Sequence, residues 1–329
     1  MAALVDGFGR VHTDLRVSLT DHCNLRCTYC MPAEGVTWLP APGLLTDDEI
    51  VRIVDLLVRD AGIRSVRLTG GEPLLRRGVV DLVRRIAATT PRPDVAMTTN
   101  GIGLAKLAQP LADAGLTRVN ISLDTLRRGT FVALTRRDRL ADVLAGVAAA
   151  QAAGLQPLKV NTVVMRGIND TEIGDLLDWC LEREIEPRVI EQMPLDAQHG
   201  WDREVMVTAA EVLEQLGRRH TLTPVAGRGS APAQRYLVDG GPGMVGVIAS
   251  VTEPFCGACD RIRLTADGQL RNCLFANQES DLRAGLRGGE TDDELLERVR
   301  RSVAGKHAGH GIDDPTFLQP ARPMSAIGG

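Results

Sequence analysis

The chain has 329 residues, a formal net charge of -4 and a hydrophobic fraction of 44%. A chain of this length and composition can bury a large core, which excludes a mainly disordered protein and one that depends on disulfides. The charge balance gives no overall positive field for nucleic acid, no apolar run is long enough to span a membrane, and residues 1–16 lack a signal-peptide pattern. These features predict a soluble, cytoplasmic protein that binds neither nucleic acid nor membrane.

From residue 14 onward, β-rich runs alternate with amphipathic helical runs. The predicted strands lie at 14–19, 65–69, 94–98, 118–123, 158–164 and 188–193. The predicted helices lie at 46–60, 79–88, 105–114, 139–153 and 172–183. Thr46 and Glu49 fit a capping box, and Gly115 and Gly154 follow helices as C-caps. Six consecutive strand–helix units favour a parallel sheet with helices outside it.

One alternating face of these strands carries polar groups rather than a continuous apolar run. Its residues are Arg16 and Ser18, Arg67 and Thr69, Thr98, Asn120 and Ser122, Lys159 and Asn161, and Glu191 and Met193. A sheet buried on both faces would be apolar throughout, and each unpaired polar group inside it would cost several kcal/mol. We therefore predict an α/β fold with an incomplete (βα)6 TIM-like barrel and a polar interior, with function at the C-terminal strand ends. Exposure of some of these residues at strand ends is the alternative.

Six of the seven cysteines fall into two sets of three. They are Cys23, Cys27 and Cys30, spaced C-x3-C-x2-C, and Cys256, Cys259 and Cys273, spaced C-x2-C-x13-C. Soft thiolates select zinc or iron–sulfur clusters. Three thiolates leave one iron of a four-iron cluster open, whereas a structural zinc site needs four ligands. A zinc knuckle remains the alternative, more so for the second set, and Cys180 is predicted to be a small buried hydrophobe.

The first cysteine set and the Gly70-Gly71-Glu72-Pro73 run resemble the radical S-adenosylmethionine superfamily. The resemblance implies a [4Fe-4S] cluster whose open iron takes the amino and carboxylate groups of S-adenosylmethionine. It also implies that the glycine-rich strand end helps to bind the amino group and that Tyr29 reaches the adenine. The implied cofactor contacts are Tyr29, Gly71, Glu72, Ser122 and Met193, although core packing is an equally strong reading of Met193.

Within that superfamily the chain is similar along its length to the GTP 3′,8-cyclase family, which begins molybdenum cofactor synthesis. The second cysteine set, the R-x-R run at 261–263 and the terminal Gly-Gly carry this resemblance. It implies a second [4Fe-4S] cluster, ligated by the second cysteine set, that binds the guanine base of GTP through its open iron. The implied GTP contacts are Arg16, Arg67, Thr98, Lys159, Asn161, Arg261, Ile262 and Arg263. The implied catalytic residues are Arg16, Arg261, Arg263, Gly328 and Gly329.

The paired arginines also have a physical explanation of their own. Arg261 and Arg263 lie two apart on a predicted strand, so both guanidinium groups leave the same face and repel each other unless an anion lies between them. A triphosphate would satisfy both. Lys159 is one of three lysines among 38 basic residues, which makes its inward placement informative. Ser65 stands where some relatives carry lysine, so one phosphate contact is expected to be missing.

After residue 194 the alternation stops. A helix is predicted at 209–219, strand-like runs at 261–265 and 269–273 form a hairpin, and two short helices fill 280–304. We predict a barrel over 1–225 and a C-terminal iron–sulfur domain over 226–310 that closes the barrel mouth. A tail over 311–329 follows and ends in Gly-Gly.

The resemblance further implies a mechanism and partners. Abstraction of the ribose C3′ hydrogen of GTP would let C3′ attack C8 of guanine, and reduction would complete 3′,8-cyclo-7,8-dihydro-GTP. The implied partners are a one-electron donor, cyclic pyranopterin monophosphate synthase as acceptor of the product, and a second copy of the chain in a homodimer. The alternatives are another radical S-adenosylmethionine enzyme with an auxiliary cluster, for instance one that matures a peptide, and a non-catalytic iron–sulfur electron carrier or zinc-binding module.

Overall fold

The computed structural model describes residues 3–315 and 317–328 of the chain. The strands in these residues are β1 Asp14–Ser18, β2 Ser65–Thr69, β3 Asp94–Thr99, β4 Arg118–Ser122, β5 Lys159–Val164, β6 Glu186–Glu191, β7 Leu222–Pro224, β8 Gln234–Val238, β9 Met244–Ile248, β10 Arg261–Leu264, β11 Gln269–Arg271 and β12 Ser280–Asp281. The α-helices are α1 Asp47–Ala61, α2 Val79–Ala87, α3 Leu104–Asp113, α4 Arg128–Thr135, α5 Leu140–Ala152, α6 Ile173–Leu181, α7 Ala209–Gly217, α8 Leu282–Arg287, α9 Asp292–Ala304 and α10 Met324–Ile327.

All of these strands join one sheet, in the order β12-β11-β10-β1-β2-β3-β4-β5-β6-β9-β8-β7. From β10 through β1 and β6 to β9, each strand runs parallel to its neighbour. The outer strands β11, β12, β8 and β7 pair antiparallel. The predicted α/β class and the run of six strand–helix units are confirmed, and two further parallel strands, β9 and β10, extend that run at its two edges.

The sheet has one apolar and one polar face. Leu15, Val66 and Val119 are fully buried on the apolar face, in a core that includes helix residues such as Ile50 and Leu82. The register sets Arg16 beside both Arg67 and Arg263, and it sets Asn120 beside Lys159. Residues of the polar face line a common cavity, as the alternation in the sequence predicts.

The prediction that Glu191 shares the polar face is wrong. Its carboxylate lies in the layer between the sheet and α7, where it accepts hydrogen bonds from the backbone N–H groups of Ala209 at 2.7 Å and Val251 at 2.8 Å. The β6 side chains that line the cavity are instead Arg188 and Ile190. The strand ends at Glu191, so Met193 lies beyond it and does not fix the alternation of the residues before it.

Local sequence signals explain how several helices begin. Thr46 accepts from the Glu49 N–H while the Glu49 carboxylate accepts from the Thr46 N–H, which confirms the predicted capping box at α1. The same arrangement starts α7 and α9. Gly115 and Gly154 follow α3 and α5 with positive φ, as C-cap glycines should.

The second half of the chain builds on the same sheet. Strands β8 and β9 are joined through Asp239 to Gly243, a Gly- and Pro-containing turn, and β9 packs with α6 and α7 in a second apolar cluster. The boundary at residue 225 stays a prediction, and β7 pairs with β8 across it. Cys180 is fully buried in the main core, as expected. Across residues 3–315 and 317–328, no helix is long and apolar enough to cross a membrane.

Candidate active site

Two cavities meet at the C-terminal ends of the parallel strands. The larger has a volume of about 580 Å³ and the smaller about 140 Å³. The residues Tyr29, Thr98, Ser122, Asp124 and Met324 line both. The two cavities therefore adjoin each other at the end of the barrel where parallel strands place functional residues.

The first cysteine set lies in the loop that follows β1. Cys23, Cys27 and Cys30 line the smaller cavity and are partly buried. Burial raises the pKa of the Cys30 thiol to about 12 and that of Cys27 well above its usual value. Thiols that resist ionisation become thiolates when they ligate metal. Three such groups around one small cavity fit the three protein ligands of a cluster with one open iron.

The two glycines after β2 let the cysteine loop lie against the strand end. A Cβ on Gly71 would lie 2.3 Å from the carbonyl oxygen of His22, and one on Gly70 would lie 2.4 Å from that of Thr20. Gly70 also has a φ of 143°. The Gly71 N–H donates to the Thr20 carbonyl at 2.7 Å. Side chains at either position would therefore push the loop away and change the shape of the smaller cavity.

Glu72 is fully buried, and its carboxylate is held by the protein itself. It accepts from the N–H of Leu74 at 2.9 Å, the hydroxyl of Thr99 at 2.7 Å and the N–H of Asn100 at 2.7 Å. Burial raises the pKa of this carboxyl to about 7, against the effect of these bonds. The side chain thus ties the end of β2 to the end of β3, and a direct contact with a cofactor stays a prediction.

Sequence reasoning missed Asp124, which lies two residues beyond β4 and lines both cavities. Its carboxylate accepts from the hydroxyl of Tyr29 at 2.8 Å and from the N–H of Val163 at 2.9 Å. Burial raises the pKa of Asp124 to about 6. The bond joins the cysteine loop to β4 and fixes the tyrosine ring at the junction of the two cavities. The alternating pattern of β4 could have pointed to Asp124, since it continues the face of Asn120 and Ser122.

The second cysteine set faces the larger cavity. Cys256, Cys259 and Cys273 all line it. Burial acts to raise the pKa of the Cys259 thiol, but the charges of Arg261 and Lys306 outweigh that effect and lower the pKa to about 7. In the parts of the chain that the structure describes, no three His, Cys, Asp or Glu side chains lie close enough to hold a single metal ion. The three cysteine thiols that line the larger cavity suit the ligation of a second iron–sulfur cluster.

Arg10, which the sequence patterns did not single out, braces the second cysteine loop. Its guanidinium donates to the carbonyl oxygens of Cys256 at 2.7 Å, Ala308 at 2.8 Å and His307 at 2.6 Å. The Asp6 carboxylate accepts from its Nε at 2.6 Å. The N-terminal arm therefore connects the second cysteine loop to the segment after α9.

The larger cavity is lined by buried arginines whose N–H groups lack some of their hydrogen-bond acceptors. Its basic residues from the predicted set are Arg16, Arg67, Lys159, Arg261 and Arg263. Among residues 3–315 and 317–328, buried nitrogens without a hydrogen-bond partner include Nε of Arg16, Nε and Nη1 of Arg67, and Nη2 of Arg261. Burial lowers the pKa of Lys159 to about 8, and the charge of Arg188 adds to the effect. Unpaired buried donors of this kind are costly, and a polyanion would satisfy them.

The remaining predicted contacts are placed as follows. Thr98, Asn161 and Ser122 line the cavity, and Met193 both lines it and packs against an apolar cluster with Leu195. Ile262 points the other way into the main core and is fully buried. Alternation along β10 therefore excludes the Ile262 side chain from the cavity, and a contact between its backbone and GTP stays a prediction.

The tail enters the barrel mouth. The carbonyl oxygen of Gly328 accepts from Nη1 of Arg263 at 2.5 Å. A Cβ on Gly328, whose φ is 85°, would lie 2.9 Å from Thr69 Cγ2 and 3.1 Å from Ser18 Cβ. Upstream, Arg322 donates to both carboxylate oxygens of Asp267, at 3.1 and 2.9 Å. Gly329 lies outside the described residues.

Comparison with known proteins agrees with this geometry. Residues 17–180 match the Radical SAM superfamily, and residues 185–312 match the family described as Molybdenum Cofactor Synthesis C. The GTP 3′,8-cyclase of Streptomyces coelicolor is 64% identical over 99% of this chain and 96% of its own length. The chain belongs to the GTP 3′,8-cyclase family. GTP 3′,8-cyclase 2 of Mycobacterium tuberculosis H37Rv is 56% identical over 99% of this chain and 92% of its own length.

Solved structures share the fold at much lower identity. SuiB of Streptococcus suis, bound to S-adenosylmethionine, is 15% identical with a TM-score of 0.55, over 83% of this chain and 64% of that one. The native enzyme anSMEcpe with bound AdoMet is 16% identical with a TM-score of 0.51, over 63% of this chain and 59% of that one. These two structures therefore share the fold of this chain. The chain is a radical S-adenosylmethionine enzyme of the cyclase family, and such enzymes use an iron–sulfur cluster and S-adenosylmethionine.

Proposed function

We propose that this chain cyclises GTP to 3′,8-cyclo-7,8-dihydro-GTP, the first step of molybdenum cofactor synthesis. The observation that carries the proposal is a pair of adjoining cavities, each lined by one three-cysteine set, with buried arginines that lack hydrogen-bond partners in the larger one. Membership of the cyclase family supports the same substrate. The first cysteine set would hold one [4Fe-4S] cluster and the second set the other.

In this proposal the smaller cavity binds S-adenosylmethionine. Gly70 and Gly71 keep the strand end close to the cysteine loop, and Tyr29, Ser122 and Met193 border the space beside it. Cys23, Cys27 and Cys30 would hold a cluster that, when reduced, would supply the one electron needed to break the C5′–S bond of S-adenosylmethionine into methionine and a 5′-deoxyadenosyl radical. The barrel walls exclude water from that radical, which protects it until a hydrogen atom is taken from GTP.

The larger cavity binds GTP. Arg16, Arg67, Lys159, Arg261 and Arg263 hold the triphosphate, and the guanine lies towards the second cysteine set. The hydrogen atom at C3′ of the ribose would pass to the deoxyadenosyl radical to give 5′-deoxyadenosine, and the C3′ radical would then add to C8 of guanine. One electron from the donor and one proton would convert the resulting base radical to the dihydro product. The task of the chain is to hold C3′ and C8 in attack geometry, since positioning of this kind provides most of the acceleration in such a step.

We further propose the partners that this chemistry needs. A one-electron donor must reduce the chain in the cytoplasm, and the product passes to cyclic pyranopterin monophosphate synthase. A homodimer remains a prediction that gel filtration under anaerobic conditions tests. Loss of one phosphate contact at Ser65 also remains a prediction.

The test of the reaction measures deoxyadenosine in an anaerobic assay, together with iron and sulfide per chain. We expect two four-iron clusters, and deoxyadenosine formation that increases when GTP is added. Deoxyadenosine formed at the same rate without any nucleotide would contradict the proposed substrate and favour another radical S-adenosylmethionine enzyme.

A second test concerns the phosphate site. Replacing Arg261 with alanine should weaken GTP binding by roughly 1–3 kcal/mol, the range for a charge-assisted hydrogen bond. Anaerobic titration calorimetry measures the affinity, and Arg235→Ala, at an exposed position on β8, is the matched control. Equal affinity in the Arg261 variant and the parent would show that this arginine does not bind phosphate.

A further inference from the structure

Lys306 is a buried lysine beside the second cysteine set. It follows α9 and is 4% exposed. Its ammonium group donates to the Sγ atom of Cys259 at 3.4 Å and to the carbonyl oxygen of Arg261 at 2.8 Å. The residue lies 47 positions beyond Cys259, so no spacing motif connects the two.

The surroundings of Lys306 lack an ordinary counter-charge. Within residues 3–315 and 317–328, the Lys306 ammonium donates its hydrogen bonds to a thiol and a carbonyl oxygen and to no carboxylate. The Asp6 carboxylate bonds to Arg10 and His12 instead. Burying an ammonium costs several kcal/mol unless it is paired. The negative charge that compensates it must come from the cysteines, and a cluster held by three thiolates provides such a charge.

We propose that Lys306 is a positioning residue that donates a hydrogen bond to the Cys259 thiolate and raises the reduction potential of the second cluster. Hydrogen bonds to the ligating sulfurs and the net charge around a cluster are main determinants of its potential. Reduction adds negative charge, which an adjacent ammonium stabilises. The inference rests on the proposed function in one respect, namely that Cys256, Cys259 and Cys273 hold a cluster.

A purely structural role is the competing explanation. The bond to the Arg261 carbonyl joins the end of α9 to β10, so Lys306 could simply anchor the loop. The two roles differ in what they change. An anchor affects how much iron the second set retains, whereas a donor to sulfur affects the potential of the iron that is retained.

The experiment is a redox titration of the anaerobically prepared holoenzyme, followed by electron paramagnetic resonance. The resonance signal that does not change when S-adenosylmethionine is added belongs to the second cluster. The signal of the first cluster, which does change, is an internal reference. The variants are Lys306→Met, which keeps the length and loses the charge, and Lys306→Arg, which keeps a cationic donor. Lys106→Met, an exposed lysine on α3, is the matched control. Iron per chain is measured for every sample.

We expect Lys306→Met to retain both clusters and to shift only the second one to a more negative potential. Lys306→Arg should shift it less, and Lys106→Met should not shift it. The magnetic coupling between the reduced second cluster and the exchangeable ammonium proton of Lys306 should be lost in Lys306→Met. An unchanged potential in Lys306→Met would overturn the proposal, and so would loss of the second cluster in that variant. A parent protein without iron at the second set would instead overturn the cluster assignment.

Discussion

The charge on Lys159 changes within the pH range in which the enzyme can be assayed. Burial lowers the pKa of this lysine to about 8, and the positive charge of Arg188 acts in the same direction. The ammonium is therefore charged below that pH and neutral above it. A triphosphate in the larger cavity favours the charged form, so binding is coupled to proton uptake.

We predict that GTP affinity falls as the pH rises through about 8, the pKa of Lys159. Lys159→Arg should remove most of this decline, because arginine keeps its charge across the range. Anaerobic calorimetry at a series of pH values measures both slopes. If GTP affinity falls equally steeply with pH in the variant and the parent, the group that titrates is not Lys159.

Single residues also show where sequence reasoning reaches its limit. Arg261 and Arg263 were assigned to one face from their spacing, and the structure places both in the cavity. The same alternation places the Ile262 side chain in the core, so the contact that the resemblance implies for this residue is left to its backbone. Lys306 could be noticed only as a rare residue type, because its contact with Cys259 depends on how α9 packs.

At the scale of elements, the two cysteine loops are independent of each other. One follows β1, and the other precedes β10 and continues after β11. Replacing Cys256, Cys259 and Cys273 with alanine should therefore remove roughly half of the bound iron, since we propose that each set holds one four-iron cluster. Some cleavage of S-adenosylmethionine should remain. Iron analysis and a deoxyadenosine assay measure both quantities, and either full retention or full loss of iron would contradict two separate sites.

The strands that the sequence predicted well are those with strong alternation between turn signals. Strands β1 to β6 were predicted to within two residues at each end. In β1 to β5 polar residues of the cavity face alternate with apolar core residues, whereas β6 places Ile190 in the cavity and Glu191 on the opposite face. Strands β8 and β9 were missed, since glycine and proline around 227–243 read as a loop. The four-residue α10 is too short for its periodicity to be recognised, and its position depends on the anchored tail.

At the scale of the whole molecule, the tail connects the two parts of the site. Arg322 anchors it on Asp267, and Gly328 reaches Arg263 between the ends of β1 and β2. Removal of Gly328 and Gly329 should leave both clusters, GTP binding and cofactor cleavage largely intact, because none of the predicted cluster ligands or GTP-binding cations is lost.

Cyclised product should nevertheless fall by orders of magnitude in the truncated chain, since transfer of the radical depends on near-attack geometry. Deoxyadenosine and cyclised nucleotide are measured in one anaerobic reaction. Arg322→Lys, which weakens the anchor without shortening the chain, should give an intermediate ratio. A truncated enzyme that makes both products in the parent ratio would show that the tail has no part in the reaction.

The pairing of β1 with β10 has a consequence for how the protein is made. Thr13, just before β1, bonds to Asp260, which lies 247 residues further along the chain. At ribosomal speeds of about 5–20 residues per second, the free edge of β1 waits roughly 10–50 s for the strand that covers it. Through that interval the nascent chain presents an unpaired edge next to Leu15 and Val17, which later become fully buried. Slower translation lengthens the interval, so chaperone demand and aggregate yield should rise with the time between these two strands.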